Sequence, residues 1–529
     1  MDSRTKNTSR NIFFAILTQV VKILLTFVTR TFFIRYIGIE FLGLSSLFAN
    51  ILTLLSLAEL GIGQAVLYCM YKPVADGDTE KIKSLLTLYR RLYFAVGTVI
   101  FVAGLVMMPF LDSLIMGEPP VGINIRVVFV IFLTQNAVGY FFAFRRVLLF
   151  AHQRGDIMSK VQGIVAILLN IIQIIIVLTT HNYYLFVILL PVTAGIDSVI
   201  VLIISYKMFP KIRGKSQKLA NEEKKLIAKN TGALFFHAIG GIVIFGTSSI
   251  IVSFFLGLEI LGVYSNYILL TTTIMTMLGL VCNALRGSVG NLIASTDKDY
   301  VLRIYNKLTF FLFVLVGFCS ICLLILFQPF IRVWLGENYL LSFWIVVLMC
   351  INFYLTGCRQ LNFVFMQCAG IFRQDLFKPI IEVVVMIPLS IILTINIGLA
   401  GVVIGVIVST ILAPMWIEPW MLFRHLFKRS SILYFRNYII YTILTIAIGG
   451  IVFFIVRMMP YGNWGLFAIQ VAVCVIVAGG LYLLIYFKTP HFRYFWQLIT
   501  RVVRRRLSKQ GVAPDAGVDK EVLPKDTKQ

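Results

Sequence analysis

The chain has 529 residues, 59% of them hydrophobic and only 13% charged, well below the roughly 25% charged residues of a soluble domain. Its 47 Lys and Arg against 23 Asp and Glu give a formal charge of +24, which in a soluble protein would point to nucleic acid. Here the basic residues fall between long apolar runs, so a soluble nucleic-acid binder is excluded and a chain that crosses a bilayer many times is expected.

A helical crossing of a roughly 30 Å hydrocarbon core takes about 20 apolar residues. In those units the sequence predicts helices near 11–36, 42–70, 89–111, 123–149, 157–180, 184–208, 230–256, 260–287, 304–328, 340–369, 376–396, 399–424, 436–458 and 464–487, about fourteen in all. The runs do not alternate with period two, as the strands of a membrane barrel would. The first run follows Arg4, Lys6 and Arg10 but is too long for a signal peptide, carries Lys22 midway and lacks a small-residue cleavage site. Cys319 and Cys322 have C-x-x-C spacing, yet they lie in a Phe- and Leu-rich helix with no second pair or histidine nearby, which reads as packing. No cofactor or metal is expected.

When the loops are assigned alternately to two sides, forty of the 47 Lys and Arg fall on one side and five on the other, with Lys22 and Arg359 left inside helices. By the positive-inside rule, both termini are expected in the cytoplasm. Adding or dropping one helix would scramble the split, so the charges favour an even helix count.

The hexads Gly38-Ile39-Glu40-Phe41-Leu42-Gly43 and Gly257-Leu258-Glu259-Ile260-Leu261-Gly262 nearly coincide. At a similar offset Tyr89-Arg90-Arg91-Leu92 falls near Tyr305-Asn306-Lys307-Leu308, and Ala151 and Lys160 fall on Ala369 and Lys378. The shift spans six helices, so the copies are expected to insert in parallel, as in repeat-built transporters. The expected division is an N-terminal lobe 1–208, a basic cytoplasmic linker 209–229, a C-terminal lobe 230–428, two further helices in 429–488, and a cytoplasmic tail 489–529. The tail's first part, with Trp496 and Arg501 to Arg506, is expected to lie on anionic membrane lipids, and its end to be disordered.

Together with the stretch from Ile34 through the first hexad to Ser46, and Leu57-Ala58-Glu59-Leu60-Gly61-Ile62-Gly63, this organisation resembles the Wzx-type polysaccharide repeat-unit flippases of the multidrug/oligosaccharidyl-lipid/polysaccharide exporter superfamily. The resemblance covers residues 10–490. It implies an all-α, MATE-like membrane fold of two parallel six-helix lobes plus two C-terminal helices, working as a monomer in the bacterial plasma (inner) membrane. It further implies transport rather than catalysis: an undecaprenyl-pyrophosphate-linked oligosaccharide turned from the cytoplasmic to the outer face by alternating access, for O-antigen, capsule or exopolysaccharide. Coupling to protons or sodium, and a polysaccharide polymerase and assembly proteins as partners, are implied by the same resemblance.

An anionic lipid-linked substrate needs cations and amides within the membrane. Gln19, Lys22, Thr26 and Arg30 follow steps of three and four residues and share one helical face, with Arg35 further out. A central lysine costs about 2.5 to 3.5 kcal/mol on insertion scales, so Lys22 is expected to face substrate or a structural partner; Arg30 and Arg35, with Gln19, are candidates to bind the substrate, snorkelling being the alternative for the two arginines. Asn352, Thr356, Arg359 and Asn362 form a second stripe, in which the Arg359 fork suits phosphate oxygens or a buried acid of the same lobe. Among acids within helices, Glu59 and Asp197 are the candidates for ion coupling, Glu59 alternatively pairing with Lys22 or Arg30, while Glu382 reads as structural.

Two rivals share the architecture: a multidrug exporter, and a flippase for the peptidoglycan lipid precursor. A membrane glycosyltransferase or polymerase would be expected to need a sizeable outer loop bearing catalytic groups, whereas the outer loops here are about 5 to 15 residues. No phosphate-binding Gly-rich loop, zinc spacing or nucleophile triad occurs.

Overall fold

The computed structural model describes residues 2–494 apart from Leu60, 213–218, Ala220 and 372–376, together with Gln497 and Thr500. The expectations for Trp496, for Arg501 to Arg506, for the end of the tail and for the middle of the 209–229 linker lie outside the described residues. Every described element is helical, with no strand among them. The first lobe comprises α1 (Asp2–Tyr36), α2 (Ile39–Leu55), α3 (Ile62–Asp76), α4 (Thr79–Met107), α5 (Ile125–Phe142), α6 (Arg146–Ala151), α7 (Gly155–Thr180) and α8 (Tyr183–Met208). The second comprises α9 (Asn221–Ser295), α10 (Lys298–Trp334), α11 (Phe343–Cys368), α12 (Phe377–Ile397), α13 (Leu399–Leu412) and α14 (Pro414–Leu422). A terminal pair, α15 (Ile432–Arg457) and α16 (Trp464–Tyr486), follows.

Twelve described helices are long and apolar enough to span a bilayer, against about fourteen expected. The difference has two visible causes. α9 runs through Gly257 without losing its hydrogen-bonding pattern, so two expected helices read as one with a kink, where φ is 86°. The expected 42–70 helix is interrupted by a tight turn at Ser56–Glu59 and by Gly61 at φ 87°, leaving the shorter apolar α2. Side chains such as Phe94, Val106, Leu168, Ile175, Ile443 and Leu484 stand exposed around the outside, the surface expected of a protein whose solvent on that face is hydrocarbon.

The two lobes repeat the same neighbour relations. α1 packs on α7, α4 on α5, α5 on α8 and α7 on α8; correspondingly α9 packs on α12, α10 on α11, α11 on α13 and α12 on α13. The terminal pair packs on α10, where Tyr482 Oη and Thr445 Oγ1 are 2.9 Å apart beside Gly317.

The hexads do more than mark the repeat: they pack against each other. Gly38 and Gly257 both hold positive φ, at 122° and 86°, a conformation costly for any residue with a Cβ. The chain turns at each and enters α2 or the second half of α9, and these two segments cross at their small residues. A Cβ on Gly43 would collide with the Leu258 carbonyl oxygen, and one on Gly262 with that of Ile39. Backbone thus lies on backbone where the lobes meet, the close approach that paired glycines allow between membrane helices.

Candidate functional site

Charged groups inside the spans cluster at interruptions of the helices. Glu59 ends the turn between α2 and α3, Arg145 and Arg146 sit where α5 gives way to α6, and Glu418 lies one turn beyond the α13–α14 break at Pro414. Interrupted helices free backbone groups and make room for polar side chains, the construction by which membrane transporters form sites.

Three charged groups line one cavity in the first lobe. It encloses about 940 Å³ between the α2–α3 turn, α4, α5, α6 and α8, with Glu59, Gln64, Tyr93, Asn136, Arg146 and Asp197 on its wall. Glu59 accepts a hydrogen bond from Tyr93 Oη. The Tyr93 ring lies 4.1 Å from that of Tyr89 and 5.7 Å from that of Tyr140, so Glu59 faces a cluster of phenols. The expected pairing of Glu59 with Lys22 or Arg30 is not formed; its partner is a tyrosine, because the turn after α2 carries it towards α4 and away from α1. Asn136 Nδ2 donates to Ser56 Oγ at 3.3 Å within the same turn. Across the cavity Arg146 Nη2 pairs with Asp197 and lies 3.3 Å from Ser198 Oγ. Lys22 interacts electrostatically with Asp197 from α1. Tyr93→Phe is expected to leave the Glu59 carboxylate short of a donor, at a cost of about 1 to 3 kcal/mol, visible as a lower melting temperature that a second change, Glu59→Gln, restores.

The second lobe gathers its charges into a closed network. Arg359 grips Glu418 with two bonds, Nε to Oε2 at 3.1 Å and Nη2 to Oε1 at 2.6 Å. Lys378 Nζ donates to the same Glu418 Oε1 at 2.8 Å, and Glu382 lies 3.9 Å from Arg359 Nη1. Of the two expectations for Arg359, the fork is engaged by a buried acid of its own lobe. Sequence reading passed over Glu418; its signal was an acid between Pro414 and Pro419, where proline breaks an apolar run. Asn362, from the same stripe, accepts from Tyr305 Oη at 2.6 Å and donates to Tyr434 Oη at 3.1 Å. Asn352 and Thr356 line a separate, mostly apolar cavity of about 80 Å³ with Ser248, Tyr264 and Thr271, where Asn352 Oδ1 is buried with no hydrogen-bond partner among the described residues.

The remaining candidates lie towards the hexads. Arg30 reaches into the other lobe, Nη1 donating to the Ser265 carbonyl at 3.0 Å and Nη2 to its hydroxyl at 3.3 Å, and Trp334 Nε1 donates to Thr31 Oγ1 at 2.7 Å. Arg35 is exposed beyond them, 6.0 Å from the Tyr36 ring centre. Gln19 is half-buried on α1, on the face it shares with Lys22. The single stripe expected on α1 therefore divides: Arg30 helps to join the lobes, while Gln19 and Lys22 lie half-buried further along the helix. Among the described residues no group of His, Cys, Asp and Glu is placed to hold a metal ion.

Comparison with solved structures identifies the same architecture in known transporters. A lipid II flippase, MurJ, in an inward closed conformation superimposes with a TM-score of 0.63 at 15% identity, covering 89% of this chain and 99% of its own. An inward-facing multidrug resistance MATE family transporter of the MOP superfamily gives 0.59 at 15% identity, covering 78% and 98%. The Vibrio cholerae MATE transporter VcmN, in a mutant form, gives 0.56 at 15% identity, covering 81% and 99%. No curated protein matches the sequence. Residues 8–285, more than half of the chain and nearly all of the first lobe, match the family described as polysaccharide biosynthesis protein. With that match, and with two repeated six-helix lobes and a terminal helix pair in the fold of the MOP-superfamily transporters, the chain is a multi-pass membrane protein belonging to the polysaccharide biosynthesis protein family.

Proposed function

We propose that this protein is a flippase that turns undecaprenyl-pyrophosphate-linked oligosaccharide repeat units from the cytoplasmic to the outer face of the bacterial plasma membrane, by alternating access of its two lobes. The observation that carries this reading is the match of residues 8–285, nearly the whole first lobe and beyond, to a polysaccharide biosynthesis family, in a fold whose lobes meet at the hexads and whose first lobe holds a large cavity with charged groups on its wall. In this reading both termini are cytoplasmic, Lys22 and Gln19 face the head group, and Glu59 and Asp197 take up the coupling proton or sodium ion. Arg30 and Arg35 serve the outer end of the path. Arg359 and Asn352 contribute from the second lobe only in another conformation, since the Arg359 fork is held by Glu418.

The test is reconstitution. Vesicles containing the purified chain and a fluorescent lipid-linked oligosaccharide should expose the glycan to an external glycosidase faster than protein-free vesicles, and faster again under an ion gradient. Glu59→Gln and Asp197→Asn are expected to abolish the gradient's effect; a gradient response retained in both removes these acids from the coupling step. Transport no faster than in empty vesicles overturns the reading.

A second reading, flipping of the peptidoglycan lipid precursor, is favoured by one observation: the lipid II flippase structure covers 89% of the chain, whereas the two MATE transporter structures cover 78% and 81%. The same vesicles loaded with lipid II decide between the two. Equal or faster movement of lipid II would replace the proposed substrate.

A further inference from the structure

The Arg146–Asp197 pair is built unlike the buried network of the second lobe. Around Glu418 the carboxylate is well satisfied: it takes two bonds from Arg359 and one from Lys378, and its side chain is only 2% exposed. A planar guanidinium and a carboxylate ordinarily bond in this two-pronged way, which gives the pair geometric definition and strength. Arg146 instead reaches Asp197 through Nη2 alone. Its Nε and Asp197 Oδ1 are both buried with no hydrogen-bond partner among the described residues. Buried polar groups are nearly always bonded, so two unmet atoms in one pair call for an explanation.

The surroundings supply it. The pair stands on the wall of the 940 Å³ cavity, with the Arg146 side chain 27% exposed and Asp197 13%. Lys22 adds a second cation that acts on Asp197. The other polar groups on the wall include Glu59, held by Tyr93, and the amides of Gln64, Gln135 and Asn136. The Arg146–Asp197 pair thus keeps unmet bonding capacity on the wall of a space large enough for the head group of a ligand.

We propose that Arg146 is an anion-binding residue of this cavity, whose ligand is the diphosphate of the lipid-linked substrate, and that Asp197 occupies the anion's position while the cavity is empty. This deepens the flippase reading and rests on it for the identity of the ligand. A diphosphate offers the paired oxygens that the Arg146 fork lacks. Asp197 released from Arg146 must then take up a cation or stay with Lys22, so anion binding and cation binding are linked through this single carboxylate.

The experiment is calorimetric titration of the full chain in zwitterionic-lipid nanodiscs with inorganic pyrophosphate. Asp197→Asn removes the internal competitor and should bind pyrophosphate about tenfold more tightly than the native chain, the equivalent of about 1.4 kcal/mol. Arg146→Gln leaves Asp197 short of its main partner and is open to misfolding. The doubly neutral Arg146→Gln/Asp197→Asn chain avoids that and should bind no pyrophosphate. Unchanged or weaker binding by Asp197→Asn, or binding by the double variant equal to that of Asp197→Asn, overturns the proposal. Loss of pyrophosphate binding when phosphatidylglycerol is added to the nanodiscs would assign the anion site to bilayer head groups and overturn its assignment to substrate. A chain that binds pyrophosphate as expected yet moves no lipid-linked glycan overturns the flippase reading while the anion site stands.

Discussion

Glu418→Ala is expected to cost about 3 to 5 kcal/mol of stability, the range for breaking a buried ion pair by removing one partner. The substitution takes a shared partner from two cations at once, because Arg359 and Lys378 both donate to this carboxylate and Lys378 is itself 6% exposed. Glu382, 3.9 Å from Arg359, is too distant to replace it. The result should appear as a sharply reduced level of inserted protein and a lower melting temperature in detergent. Arg359→Ala should do comparable damage from the other side, and Arg359→Lys should recover only part of it, since an ammonium cannot make the paired bonds of the fork. A Glu418→Ala chain of native melting temperature that has lost transport would show instead that the network serves the transport cycle.

The second large effect is expected at the crossing of the hexads. Gly262→Val places carbon where the Ile39 carbonyl oxygen lies, and Gly43→Val does the same to Leu258. No rotamer relieves a clash with backbone, so the lobes must part at this end. In a cysteine-free background carrying Ser265→Cys, the reporter beside Arg30, labelling by an impermeant maleimide should rise, and transport should fall more than tenfold. Native labelling and native transport in Gly262→Val would show that the crossing can loosen without opening the path.

The sequence revealed the frame far better than the wiring. Apolar runs of about 20 residues and a repeated hexad are long-period signals, and they carry the helices, the lobes and the turns at Gly38 and Gly257. What they do not carry is where a helix breaks. Ser56 to Gly61 and Ala413-Pro414 lie inside apolar stretches whose total length still fits a single crossing, so Glu59 and Glu418 were placed on the wrong neighbours or passed over. The steps of three and four on α1 put Lys22 and Arg30 on one face, but 1.5 Å of rise per residue separates them by about 12 Å along the axis. That distance takes Arg30 to the lobe contact and leaves Lys22 short of it. In the sequence Arg146 reads as a topology charge at a cytoplasmic end or as part of a funnel for the diphosphate; its pairing with Asp197, 51 residues away, depends on the packing of α6 against α8.

The contact between the lobes is lopsided. α2 lies against α9 from the hexads down to Leu54, whose side chain fills the space that a Cβ on Gly246 would need. α1 meets α9 through Arg30 and Ser265 and α10 through Phe27, Thr31 and Trp334, all in its half nearer the hexads. Further down, α1 presents Leu17, Val20 and Leu24 as exposed apolar surface. Among the described residues the lobes are therefore joined along α2 on one edge and near the hexads on the other. In the flippase reading, the side beside α1 is where the lipid tail of the substrate stays in the bilayer.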